Sequence, residues 1–117
     1  MKVAIPVKTN QENPIVSPLF GKAKWVAFVE DGKITIEPNE AKGGIRVVDW
    51  LFEKEIDALI VQHMGDSPYT YIKEASEIPI FYAGEERISV EEVMRKFDDE
   101  TLTIIDDTNV DSLIRQH

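Results

Sequence analysis

Cysteine is absent from the 117 residues. That excludes a disulfide scaffold, a thiolate zinc site, a cysteine nucleophile and any iron–sulfur cluster held by cysteine. Basic residues are scarce: 13 Lys and Arg stand against 22 Asp and Glu, for a formal net charge of −9. Nucleic-acid binding rests largely on neutralising phosphates, so this balance argues against DNA or RNA as a partner. No apolar run approaches the ~20 residues that span a bilayer, and no membrane partner is expected. The opening Met-Lys-Val-Ala-Ile-Pro enters a strand-like pattern at once, so no signal peptide and a cytoplasmic location are the expectations. What is present suffices for a folded globule. Apolar residues make up 43% of the chain, and a chain this long buries roughly two-thirds of its unfolded surface without metal or disulfide.

The charge is unevenly spread. Residues 85–117 carry ten Asp/Glu and four Lys/Arg, whereas residues 8–24 carry Lys8, Lys22 and Lys24 against Glu12 alone. A small basic loop in an acidic protein suits a small anionic ligand. A solubilising tail and ordinary loop lysines explain the same counts.

Val3, Ile5 and Val7 alternate and predict a mostly buried first strand. Residues 8–23 contain Asn, Gln, two prolines and a glycine without periodicity, which predicts a long loop of the kind that carries function. Two β-rich runs, Trp25 to Val29 and Ile34 to Ile36, flank Asp31-Gly32, a hairpin signal. After Gly43-Gly44, read as a turn, Ile45, Val48 and Phe52 form the apolar stripe of a helix near 45–55. Ile56 to Val61 predicts a buried strand, and Asp66 or Ser67 caps a helix near 68–76 with Pro68 at an early position. Ile78 to Tyr82 predicts another strand. Ser89-Val-Glu-Glu is a capping box for a helix carrying Val90, Val93, Met94 and Phe97. Residues 101–105 suit one further strand and 109–116 a last short helix.

A hairpin beside two β-α-β units predicts an α/β protein: a five-stranded mixed sheet in the order 3-2-1-4-5 with helices on both faces. That is the arrangement of the ribonuclease H-like motif. Ligands of open sheets bind beyond the carboxyl ends of the strands where connections diverge. Here those ends carry the 8–23 loop and His63 to Asp66, so two unusual segments should meet at one crevice.

Catalytic chemistry finds little support. Two-metal phosphoryl transfer needs carboxylates on the central strands, and those strands offer Val3, Ala4, Ile5, Leu59, Ile60 and Val61. Ser17 sits in Val-Ser-Pro-Leu-Phe-Gly rather than a nucleophile elbow, and reads as a loop serine bonding nearby backbone. Gly43-Gly44 lacks the Lys-Ser/Thr of a phosphate loop. His63, just past a buried strand, is balanced between a capped or core histidine and a metal ligand. Met64 beside it is a soft donor but a common core filler. His117, the last residue, reads as uninvolved.

At Met1 to Val7, and again at Val16-Ser-Pro-Leu-Phe-Gly-Lys-Ala23, the chain resembles the dinitrogenase iron–molybdenum cofactor biosynthesis family. The resemblance continues through Glu30-Asp-Gly-Lys33, the strand ending at His63-Met64-Gly65 and the helix around Val90 to Phe97. It covers residues 1–98 as one domain and leaves 99–117 as an acidic C-terminal extension. It implies the ribonuclease H-like motif, and a non-catalytic accessory or carrier protein for an iron–molybdenum cofactor or iron–sulfur precursor. The family loop reads Ser-x-His-Phe-Gly-Arg, and here Leu19 replaces the histidine and Lys22 the arginine. The candidate cofactor-binding residues are Ser17, Phe20, Gly21 and Gly65, which match the family, with Lys22, Lys24, Asp66 and Ser67, whose charge or helix-end N–H groups suit an anion. His63 and Met64 are the metal-ligand candidates read from the residues themselves. A partner in cofactor assembly is implied as well. Two other readings stand beside this one: a module of the same fold that takes a small organic anion, and an interaction domain whose acidic tail meets a basic protein while residues 1–98 fold alone.

Overall fold

The computed structural model describes residues 1–114. His117 and the end of the predicted 109–116 helix lie outside the described residues. The elements run β1 (Lys2–Val7), β2 (Trp25–Glu30), β3 (Lys33–Pro38), α1 (Gly44–Glu53), β4 (Ala58–Val61), α2 (Asp66–Ala75), β5 (Ile80–Tyr82), α3 (Val90–Asp98), β6 (Thr103–Ile104) and α4 (Val110–Leu113). One mixed sheet has the order β3-β2-β1-β4-β5-β6. Strand β1 is antiparallel to β2 and parallel to β4, β4 is parallel to β5, and β6 runs antiparallel to β5. The predicted order is therefore present, with the 101–105 segment added as a sixth, two-residue edge strand.

The strand period of two separates two cores. Ala4, Val26, Phe28, Leu59 and Val61 face α1 and α2, joined by Val47, Val48, Leu51, Tyr69 and Ile72 from the helices. Val3, Ile5, Val7, Ala27, Val29, Ala58 and Ile60 face the other way, onto Val90 and Val93 of α3. The hairpin turns on Asp31 and Gly32, whose φ values of 54° and 78° give a turn that matches the strand twist. Trp50 packs edge-on to Phe28, with ring centroids 5.6 Å apart. The predicted capping box is in place: the Ser89 hydroxyl accepts the Glu92 N–H at 3.2 Å.

The 8–23 loop is pinned rather than loose. Val16 bridges to Val7 and Ile15 to Ser89. Pro6 is what admits it. A proline has no N–H for a ladder, and the β1–β4 pairing consists of Val3↔Ala58 and Ala4↔Leu59. Beyond that pairing the Pro6 carbonyl accepts the Ser17 N–H at 2.8 Å, and the His63 carbonyl accepts the Phe20 N–H at 3.3 Å. The loop thus wedges between the parting ends of β1 and β4.

The C-terminal segment packs on the same core as the rest. Ile105, Val110 and Ile114 are 0%, 3% and 1% exposed and join the cluster under α1 and α2.

Candidate functional site

Strands β1, β3, β4 and β5 all point the same way, so the helices following β3 and β4 begin at the same rim of the sheet. Their N-termini meet across a cleft of about 910 Å³. Its walls are Leu19 to Lys22 of the pinned loop, Gly43 and Gly44 at the head of α1, and His63 to Asp66 with Pro68 at the head of α2. Asp111 and Ile114 close the far side.

Both helix heads are glycine. Gly43 caps α1 at φ 94° and ψ 150°, a conformation only glycine adopts without strain. Gly65 caps α2 in ordinary extended geometry. Neither helix has a side-chain hydrogen bond at its cap. The expectation that Asp66 or Ser67 caps α2 is corrected here: the helix starts at Asp66, which places Asp66 and Ser67 inside its first turn. Close packing holds the two heads together. A Cβ on Gly44 would lie 2.7 Å from Pro68 Cγ, and one on Gly21 would lie 3.4 Å from the Gly44 nitrogen. Gly43-Gly44, read from the sequence as a plain turn, is thus the seam that brings α1 and α2 to one opening.

Of the residues singled out in the sequence, Phe20, Gly21, Lys22, His63, Met64, Gly65 and Asp66 line this cleft. Ser17, Lys24 and Ser67 do not. The Ser17 hydroxyl accepts the Leu19 N–H at 3.2 Å and is tied up shaping its own loop. Lys24 is exposed at the start of β2, with its carbonyl taken by Asn39. The sequence reading missed Gly43, Gly44, Pro68, Asp111 and Ile114, whose place depends on contacts between distant segments.

The donor chemistry is sparse. Met64 is 3% exposed and belongs to the core, while Leu19, at the family's histidine position, is 52% exposed at the rim. His63 Nδ1 is screened from solvent and has no hydrogen-bond partner among the described residues. Among the described residues no three His, Cys, Asp or Glu side chains converge to hold a metal ion. The residues present do not fit a metal centre coordinated by several protein ligands. They fit an anion received by peptide N–H groups, with Lys22 at the rim and His63 on the wall. Asp66 and Asp111 share the walls, so the attraction is local to the helix heads and not a broad positive field.

The α4 wall is fastened by Asp106. Its carboxylate accepts the N–H and hydroxyl of Thr108, and its N–H donates to Asn109 Oδ1 at 2.9 Å. The bond from the Thr108 hydroxyl, helped by the backbone bonds of Thr108 and Asn109 and by Lys73, holds the Asp106 carboxyl below the usual carboxylate range. A depressed folded value means that the stabilisation is complete above the unfolded value and fades as pH falls through the folded one. Asp106→Ala should therefore lower the melting temperature at neutral pH, and its gap from wild type should close below about pH 4. A gap that stays constant down to pH 2 would refute this role.

No helix of the described residues is long and apolar enough to cross a membrane. No curated protein matches the chain significantly. Solved structures do. A Thermotoga protein described as a candidate NifB is 25% identical with a TM-score of 0.73, the match covering 88% of this chain and 91% of that one. The apo form of the orange protein from Desulfovibrio gigas is 17% identical with a TM-score of 0.75, covering 89% and 92%. A Methanocaldococcus jannaschii protein described as a candidate dinitrogenase is 18% identical with a TM-score of 0.63, covering 90% and 94%. The family described as dinitrogenase iron–molybdenum cofactor matches residues 1–100, and the chain belongs to that family.

Proposed function

We propose that this chain is a non-catalytic, cytoplasmic accessory protein that binds and carries an anionic metallocluster, an iron–molybdenum cofactor or an iron–sulfur precursor. The observation that carries the reading is the pair of glycine-capped helix heads opening on one cleft. Each offers first-turn N–H groups with no side-chain acceptor at its cap, the arrangement that receives anions elsewhere. Family membership supplies the class of cargo. The small set of donors supports a carrier that releases what it holds, because among the described residues His63 is the one imidazole on the cleft wall and the sequence has no thiol. Phe20, Met64 and Ile114 supply apolar wall around those polar contacts. Among the described residues the cleft walls carry Asp66, Asp111 and His63 but no serine, threonine or cysteine nucleophile, which supports a binding role over a catalytic one. A protein partner in cofactor assembly would receive the cargo at the open rim.

The test is anaerobic reconstitution with iron, molybdate and sulfide, desalting, and assay of iron, molybdenum and acid-labile sulfide per chain. Near-stoichiometric retention is expected. Lys22→Glu should weaken it about 5- to 30-fold, the scale of a charge reversed beside a helix head. His63→Ala should also reduce it, and unchanged retention there removes the imidazole from the ligand set. A wild-type protein that holds no metal, yet gains thermal stability from a small organic anion, overturns the carrier reading in favour of the anion-binding module.

A further inference from the structure

Strand β3 forms one edge of the sheet, and among the described residues no strand pairs with its outer side. Its hydrogen-bonding direction is fixed by the hairpin. Asn39 N–H donates to the Lys24 carbonyl at 2.9 Å, continuing the β2–β3 ladder in the register that pairs Glu30 with Lys33, Phe28 with Thr35 and Val26 with Glu37. In an antiparallel ladder bonded and unbonded pairs alternate. Lys33, Thr35 and Glu37 therefore turn their peptide groups inward to β2. Ile34 and Ile36 turn theirs outward, free of any ladder. Six residues long, β3 is a full-length edge, whereas the opposite edge, β6, has two.

The sequence along this edge is complementary to itself. Set antiparallel to a second copy about a two-fold axis at Thr35, it places Lys33 opposite Glu37, Ile34 opposite Ile36 and Thr35 opposite Thr35. This register brings the outward N–H and C=O groups of Ile34 onto those of Ile36 in the second copy, for four backbone hydrogen bonds in all. Registers shifted by two residues lose either the charge match or a donor, since they set Ile34 against Pro38 or Lys33 against Thr35. Ile34 and Ile36 both point to the sheet face under α3, where they are half-buried. Pairing would extend that apolar face across the axis. On the opposite face Glu37, already 2.6 Å from Lys54, would lie between that lysine and Lys33 of the second copy. Pro38 ends the ladder, and the two-fold consumes both long edges, so the assembly closes at two.

We propose that β3 is a homodimerisation edge, joining two copies into one continuous sheet through Ile34–Ile36 backbone pairing and Lys33–Glu37 ion pairs.

Sedimentation equilibrium over a concentration series, up to about 1 mM, tests it. The wild type should show a monomer–dimer equilibrium that weakens with salt. Lys33→Glu and Glu37→Lys should each weaken self-association roughly tenfold or more, because each sets like charges opposite one another twice. Mixing the two single variants should restore association as a heterodimer, since each acidic edge then meets a basic one. Ile36→Pro removes an outward N–H that no ladder within the chain uses; it should give a monomer whose thermal unfolding stays cooperative. A wild type that is monomeric throughout overturns the proposal. So does a dimer that persists unchanged in both charge variants.

Discussion

A chain that stops at Asp98 is expected to lose its cooperative fold. The segment removed contributes Ile105, Val110 and Ile114, each 3% exposed or less, to the core beneath α1 and α2. It also supplies the outer neighbour of β5, through Phe81↔Ile104 and Tyr82↔Thr103, and the Ile105 N–H that donates to the Ile80 carbonyl at 2.8 Å. Removing one buried aliphatic side chain costs about 2–5 kcal/mol. Three together reach the order of a whole domain's stability, about 5–15 kcal/mol. The cleft suffers too, because the Ile114 carbonyl accepts the Met64 N–H at 3.3 Å and Ile114 lines the far wall. Circular dichroism melts and urea titrations should show a broad or absent transition for the truncated chain. A sharp transition near the wild-type midpoint would show that the segment is dispensable packing. Against the expectation that residues 1–98 fold alone, this packing predicts that they do not. A partner lost on truncation would say nothing about the acidic tail as a docking element.

The placement of this segment shows where the sequence was readable. Val3, Ile5 and Val7, the Asp31-Gly32 turn and the Ser89–Glu92 box are local devices, each acting within a few residues, and all are present in the folded chain. The sheet order followed from them because a hairpin and two crossovers leave few arrangements. The burial of the C-terminal segment was harder to read: Ile105 follows a short strand, Val110 and Ile114 stand one helical turn apart, and all three sit among acidic neighbours that read as solvated surface. The two halves of the site divide in the same way. His63 to Asp66 were visible because they end a buried strand. Gly43-Gly44 were not, because their role comes from Pro68, far along the chain, pressing on Gly44. Ser17 matched the family loop and Lys24 was singled out for its charge, but one serves its own loop turn and the other lies outside the cleft.

Replacing Gly65 with aspartate should separate stability from function. Gly65 has φ −67° and ψ 164°, a conformation open to any residue, and a Cβ there would come no nearer than 3.6 Å to Pro68. The new carboxylate would accept a first-turn N–H of α2 and sit at the positive end of the helix. Better capping together with a stiffer unfolded chain should raise stability by about 0.5–1 kcal/mol, a rise of roughly 2–6 °C in melting temperature for a domain near this size. The same carboxylate would occupy the N–H groups assigned to the cargo and place a negative charge in the cleft. Cluster retention should fall by about tenfold or more. Gly65→Ala is the control: it adds the Cβ without the charge, so it should gain part of the stability and keep most of the retention. If Gly65→Asp were stabilised and still carried cluster at the wild-type level, the head of α2 would not be the receptor and the proposed site would be wrong. If both variants lost retention equally, bulk at the cleft rim and not charge would be the cause, and the electrostatic account of binding would fail. Stabilisation combined with loss only in the aspartate variant is the outcome that an uncapped, anion-receiving helix head requires.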